Sequence, residues 1–196
     1  MHVLVVGGGP VGMVTALAMA QRGMRVTILE AEETYDDKPR AATTHASTLD
    51  MMDSLGIGAE VVRQGLISER FQHWDRVSGE LIAAFDFAVL KGETNHPYAV
   101  QCESHKTVNI CAAQLANYPD AQLLRRHEVI AVGQDGGGVW ADCETPDGPR
   151  RFTGDYLVGT DGARSIVRRL CDIDFAGYTF AERFVQDFDG GEEVNA

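Results

Sequence analysis

The residues that most restrict this chain's fold stand at its beginning. His2-Val3-Leu4-Val5-Val6 is a short apolar run rich in β-branched side chains, as a strand buried on both faces requires. It runs straight into Gly7-Gly8-Gly9-Pro10-Val11-Gly12, which satisfies G-x-G-x-x-G through Gly7, Gly9 and Gly12. Each glycine has a steric role in that pattern. Gly7 permits a tight turn, Gly9 lets the backbone come close to a bound group, and Gly12 lets a helix pack closely on the strand. The segment to about Arg22 predicts a helix in which Gly12, Ala16 and Ala20 form a small-residue stripe for docking on a sheet. Gly23 ends it, and Arg25-Val26-Thr27-Ile28-Leu29 predicts a second strand.

Glu30 closes that second strand, 18 residues after Gly12. A carboxylate there can accept both hydroxyls of an adenosine ribose and would repel a 2′-phosphate, so the pattern favours FAD or NAD over NADP. The free amides at the start of the helix and its partial positive dipole would face the pyrophosphate. Strand, glycine turn, helix and acidic residue in this order are what a dinucleotide site needs.

Charge narrows the partners. Among 196 residues there are 29 acidic and 17 basic side chains, a net charge of −12 without any basic block. Nucleic acid and anionic membrane surfaces are therefore poor partners. Met1 to Ala20 is apolar and carries small residues, but it lacks a basic n-region and is broken by glycines and Pro10, so a secretory signal or a membrane span is not expected. Cys102, Cys111, Cys143 and Cys171 are widely spaced without a CxxC pair, which predicts free thiols in a reducing cytoplasm. The histidines lack paired helical spacing, so no metal site is expected.

Farther along, Lys38-Pro39-Arg40-Ala41 follows a turn-rich stretch and precedes a helix predicted over 47–55, stopped by Gly56. On the residues alone, Arg40 reads either as a solvated surface cation or as a bidentate phosphate partner. Alternation from Arg70 to Val89, interrupted at Ser78-Gly79, predicts an antiparallel hairpin that opens a second structural layer. Residues 91–97 read as a loop, and Val108, Cys111, Ala112 and Leu115 recur at helical spacing. A short strand is expected over 121–125. A three-stranded meander follows over 128–134, 138–144 and 150–153, its turns marked by Asp135-Gly136-Gly137 and Pro146-Asp147-Gly148. An apolar strand over 155–159 then runs into Thr160-Asp161-Gly162-Ala163-Arg164-Ser165.

Three separated segments coincide in one family: the glycine turn with Glu30, Pro39-Arg40-Ala41, and Tyr156-Leu157-Val158-Gly159-Thr160-Asp161-Gly162-Ala163-Arg164-Ser165-Ile166-Val167-Arg168-Arg169. Together they resemble the FAD-dependent aromatic hydroxylases of the para-hydroxybenzoate hydroxylase-like group over about residues 1–185. The resemblance implies an α/β architecture: a Rossmann-like FAD-binding fold with a parallel sheet, an added three-stranded antiparallel meander, and a β-hairpin beginning a substrate domain. The FAD-binding domain would span 1–175, interrupted by the 70–98 hairpin and loop, and 176–196 would begin an incomplete substrate domain.

The roles it implies fall on Gly7, Gly9, Pro10, Val11 and Gly12 for the pyrophosphate, Glu30 for the ribose and Arg40 reaching back to the cofactor. Gln101 matches a glutamine near the flavin and ribityl chain. Asp161 and Gly162 match the family's Asp-Gly pair, and Arg164 and Arg168 its basic positions, with Arg168 the candidate for the nicotinamide donor's phosphates. No catalytic side chain is assigned. The implied reaction uses NADH or NADPH and O2 to hydroxylate a small aromatic substrate through a flavin C4a-hydroperoxide. Family members are considerably longer, and the downstream Gly-Asp flavin motif has no counterpart after Asp161. The competing readings are a non-catalytic or truncated flavin- or nucleotide-binding module and an NAD-dependent dehydrogenase, and the expected partners include a second copy in a homodimer or a missing C-terminal portion.

Overall fold

The computed structural model describes residues 1–35 and 42–181. Along the chain it forms β1 (His2–Val6), α1 (Pro10–Ala20), β2 (Arg25–Glu30), β3 (Thr43–Thr44), α2 (Ala46–Ser54) and α3 (Gly58–Gln64). Next come β4 (Leu66–Ser68), β5 (Arg70–Trp74), β6 (Leu81–Asp86), β7 (Ala99–Gln101) and α4 (Ser104–Leu115). The last are β8 (Ala121–Arg125), β9 (Glu128–Asp135), β10 (Gly138–Glu144), β11 (Arg150–Gly154), β12 (Tyr156–Gly159) and α5 (Ile166–Leu170).

Four parallel strands in the order β12-β1-β2-β8 make the central sheet. Successive residues of β1 point to opposite faces, and both faces are covered. Val3 and Val5 join Met13, Leu17, Val26, Ile28, Val108 and Cys111 in a core beneath α1 and α4. Leu4 and Val6 join Leu29, Val129, Ala141, Cys143 and Phe152 in a second core beneath the β11-β10-β9 meander. This double burial is why the first strand is a continuous apolar run. On α1 the expected stripe of Gly12, Ala16 and Ala20 is buried, and α1 lies against both β2 and α4.

The α/β class, the parallel sheet and the antiparallel meander agree with the expectation from sequence. The 70–89 hairpin also forms, as β5 paired with β6, with Asp75 Oδ1 accepting from Val77 N (3.0 Å) and Ser78 N (2.6 Å) to hold the turn. Its apolar side chains stay uncovered: Phe71, Trp74, Ile82 and Phe85 are all more than half exposed. A small sheet, β3-β7-β4, and the short helix α3 were not anticipated. The histidine spacing also concealed a cluster. His96 is buried, with Nε2 2.7 Å from Asp53 Oδ2 and Nδ1 3.0 Å from the Tyr98 hydroxyl. Ligand-type atoms of Asp50, Asp53 and His96 lie within 4.8 Å of one another, which ties α2 to the 91–98 loop.

Candidate functional site

At the carboxyl ends of β1, β2 and β12 lies a cleft of about 1200 Å³. In open parallel sheets this is where ligands enter. One wall is the glycine turn. Gly7 adopts φ +100°, and its amide donates to Leu29 O at 2.8 Å, folding the turn back over β2. A Cβ on Gly12 would stand 1.9 Å from Gly7 O, so only glycine lets the first turn of α1 come this close. Gly9 has open space at the corresponding point, the nearest atom being a Tyr35 ring carbon at 4.0 Å. The cleft therefore reaches Gly9 Cα without obstruction. Pro10 opens α1 without an N–H, and the first intrahelical donor is Met13 N to Gly9 O at 2.9 Å. The Val11 and Gly12 amides have no acceptor among the described residues. They are the unpaired donors that every helix start carries.

Glu30 stands across from the turn. Its Oε2 accepts from Gly8 N at 2.6 Å and its Oε1 from Glu32 N at 2.8 Å. Each oxygen keeps a second lone pair for an outside donor. The third wall is the loop after β12. Thr160 N donates to Val6 O at 2.8 Å, and the Thr160 hydroxyl lies 2.8 Å from Val6 O and 2.9 Å from Gly7 O. Asp161 lines the cleft and at the same time caps α5. Its Oδ1 accepts from Ser165 Oγ at 2.5 Å, and its Oδ2 from Ile166 N at 2.6 Å and Val167 N at 3.2 Å. The last wall is the start of β9, where His127, Glu128, Val129 and Ile130 face the cleft.

Of the residues singled out from sequence, Gly7, Gly9, Pro10, Val11, Glu30, Asp161, Gly162 and Arg164 come together on this cleft. Gly12 lies behind it, buried against the turn. Arg40 falls outside the described residues. Gln101 does not line the cleft; it sits on β7, where its Oε1 accepts from Thr43 Oγ1 at 2.7 Å. Arg168 is also turned away, donating from Nη1 to Ile173 O at 3.0 Å with its guanidinium 5.2 Å from the Phe175 ring centre. Its neighbour Arg169 lines the cleft instead. Sequence reasoning also passed over Gly8, whose Cβ would stand 3.1 Å from the Glu30 side chain, and Tyr35 and Thr160. The signal for Gly8 was a glycine at the variable position between Gly7 and Gly9. The signal for Thr160 was its place in the third segment, directly before Asp161-Gly162; Tyr35 carried none.

The donor set suits a dinucleotide: open amides beside an unobstructed glycine, a carboxylate with spare acceptor capacity, and two arginines at the rim. A family model described as FAD binding domain matches residues 1–185. Para-nitrophenol 4-monooxygenase of Pseudomonas sp. (strain WBC-3) is 34% identical over 183 residues, covering 93% of this chain and 45% of that protein. The crystal structure of p-nitrophenol 4-monooxygenase PnpA from Pseudomonas putida DLL-E4 superposes with a TM-score of 0.86 at 32% identity, covering 91% of this chain and 45% of that one. A ternary complex of aklavinone-11 hydroxylase with FAD and aklavinone superposes with a TM-score of 0.78 at 29% identity, covering 87% and 34%. The chain thus spans about half or less of the length of the relatives it matches. With the glycine turn, the acidic strand end and the Asp-Gly loop meeting at one cleft, and a family model matched over nearly its whole length, the chain belongs to the FAD binding domain family.

Proposed function

We propose that this chain is the FAD-binding portion of a monooxygenase that uses NADH or NADPH and O2 to hydroxylate a phenolic or related aromatic substrate. The observation that carries the reading is the meeting of two segments some 150 residues apart. A Cβ on Gly7 would stand 2.7 Å from Thr160 O and 2.8 Å from Asp161 Cα, so the turn and the Asp-Gly loop form one continuous wall. A simple dinucleotide site needs only the first of these segments. Relatives whose matches cover 87–97% of this chain are named as a para-nitrophenol 4-monooxygenase, a pentachlorophenol 4-monooxygenase and an aklavinone-11 hydroxylase.

Within this reading, Glu30 accepts the ribose hydroxyls, and the Val11 and Gly12 amides face the pyrophosphate beside Gly9. Arg164 and Arg169 supply positive charge at the rim, and Asp161 holds the loop and α5 in place. The redox step and oxygen activation are the chemistry FAD supplies when bound. The protein's part is to orient and to keep water out, and the uncovered apolar side chains of β5 and β6 provide one side of a substrate chamber. We place the flavin-binding domain at 1–175, interrupted by 70–98, with 176–196 beginning the substrate domain. In support, no residue of β5 or β6 belongs to either core. A C-terminal portion or a second copy would complete the chamber. All four cysteines are free, which supports a cytoplasmic location; among the described residues no helix is long and apolar enough to cross a membrane.

The test is the visible spectrum of the purified chain, with the released flavin identified after denaturation. About one FAD per chain is the expected result. A protein that stays colourless after FAD is added overturns the reading. Reduced nicotinamide oxidation with and without phenols, by the chain alone and with a co-expressed C-terminal portion, then separates a hydroxylase from a flavin-binding module.

A further inference from the structure

The glycine turn has to solve an electrostatic problem that glycine alone does not. A sharp turn exposes carbonyl oxygens as readily as amides, and a carbonyl facing the cleft would repel an anionic phosphate. Here the two carbonyls at the end of β1 are drawn inward to one side chain. The Thr160 hydroxyl, 2.8 Å from Val6 O and 2.9 Å from Gly7 O, shares its single proton between them as a three-centre bond. The notch it occupies exists because two glycines lack side chains: a Cβ on Gly7 would meet Thr160 O at 2.7 Å, and one on Gly12 would meet Thr160 Oγ1 at 2.7 Å. The Thr160 amide donates to Val6 O as well, so Gly7 O has no donor other than this hydroxyl among the described residues.

We propose that Thr160 is a positioning residue for the phosphates of the bound dinucleotide: its backbone amide holds the Val6 carbonyl, and its hydroxyl pins the Gly7 carbonyl away from the cleft and so sets the direction of the Gly9–Gly12 segment. The inference rests on the FAD-binding reading for its ligand, but the pinning itself is a property of the ligand-free chain. Valine keeps the shape of threonine without the hydroxyl, and serine keeps the hydroxyl.

The test compares Thr160→Val and Thr160→Ser with the unmodified chain, using FAD, ADP and adenosine as probes in calorimetric titrations. The valine variant is expected to bind FAD and ADP about tenfold more weakly, from the loss of one shared hydrogen bond. It should bind adenosine, which lacks the phosphates, as the unmodified chain does, and serine should restore ADP binding. Equal loss for ADP and adenosine, or no rescue by serine, overturns the proposal. A second arm needs no ligand. In the valine variant, amide exchange at Gly7, Gly8 and Met13 should accelerate about tenfold while β9 to β11 stay unchanged. Unchanged exchange at those three amides overturns the proposal. Failure of the unmodified chain to bind any FAD would instead refute the functional reading and leave this arm to decide the pinning.

Discussion

Glu30 Oε2 accepts the amide of Gly8 at 2.6 Å, so the carboxylate suited to a ribose also braces the turn suited to the pyrophosphate. Its other oxygen holds Glu32 N at 2.8 Å. Glu30→Ala should remove both supports and two ribose acceptors together, weakening FAD binding by about 2–3 kcal/mol. Glu30→Gln keeps one acceptor oxygen and should fall between alanine and the unmodified chain. Flavin fluorescence titration checks the order.

Two glycines predict opposite outcomes. Gly12→Ala would drive a Cβ to 1.9 Å from Gly7 O, where backbone must move, and should cost about 3 kcal/mol or more of stability along with FAD retention. Gly23 lies at φ +74° with no atom within 4 Å of its would-be Cβ, so Gly23→Ala should cost only about 1–2 kcal/mol and leave the cleft intact. Urea midpoints with and without FAD separate the two.

Asp161 accepts three hydrogen bonds at the start of α5, so Asp161→Ala leaves two backbone amides and the Ser165 hydroxyl without their partner. Loss of a cap of this kind costs about 1–2 kcal/mol. Asparagine keeps a single carbonyl acceptor and should recover part of it. Chemical denaturation of both variants in the absence of flavin is the measurement.

How far the sequence told this in advance depends on how local each constraint was. The β1–turn–α1–β2 unit was legible because a strand buried on both faces, three glycines and a terminal carboxylate each leave few alternatives. The hairpin was legible from its alternation and from Gly79, which adopts φ +71°. The β3-β7-β4 sheet was not, since its strands are two or three residues long and pair Thr43 with Gln101 and Leu66 with Gln101 across distant sequence. Arg168 and Arg169 illustrate the same limit at the site. Adjacent residues on a helix diverge by about 100°, and only the packed helix decides that Arg169 lines the cleft while Arg168 reaches Ile173 O. Thr160 stood inside a recognised segment, but its contacts were not legible for a related reason: they fall on Val6 and Gly7, some 150 residues earlier.

His2 predicts a pH response in stability. Burial, with the Arg25 guanidinium beside it, holds the His2 imidazole below its ordinary value. Arg25 donates to Nδ1 at 2.8 Å, which leaves the Nε2 proton for Thr27 Oγ1 at 2.9 Å and fixes the ring as neutral. A group with a lowered folded pKa binds its proton more readily when unfolded, so its contribution is intact above about pH 6.5 and is lost as pH falls through that value toward the folded pKa. Thermal melts from pH 8 to pH 5.5 should fall more steeply for the unmodified chain than for His2→Asn.

Thiol reactivity should be equally selective. Burial pushes the Cys111 thiol up to about 12, and burial together with the Asp142 charge pushes Cys143 up to about 11. Cys102 is buried and raised as well, whereas Cys171 is exposed. Brief alkylation of the folded chain followed by peptide mass spectrometry should modify Cys171 and leave the other three until denaturant is added.

The pairing of β1 with β12, Val3 beside Tyr156 through Val6 beside Gly159, also dictates when the site can exist during synthesis. A ribosome delivers β1, the glycine turn and β2 early, whereas the strand that flanks β1 and the loop that closes the turn follow about 130–150 residues later. Domains emerge from their amino ends at about 5–20 residues per second, so the nascent glycine turn waits on the order of ten seconds for its other half. For that interval β1 has an open edge and the second core has no floor, a state open to misassembly. The cleft wall shared by the two segments is therefore complete only once the residues near 160 have emerged and β12 has paired with β1.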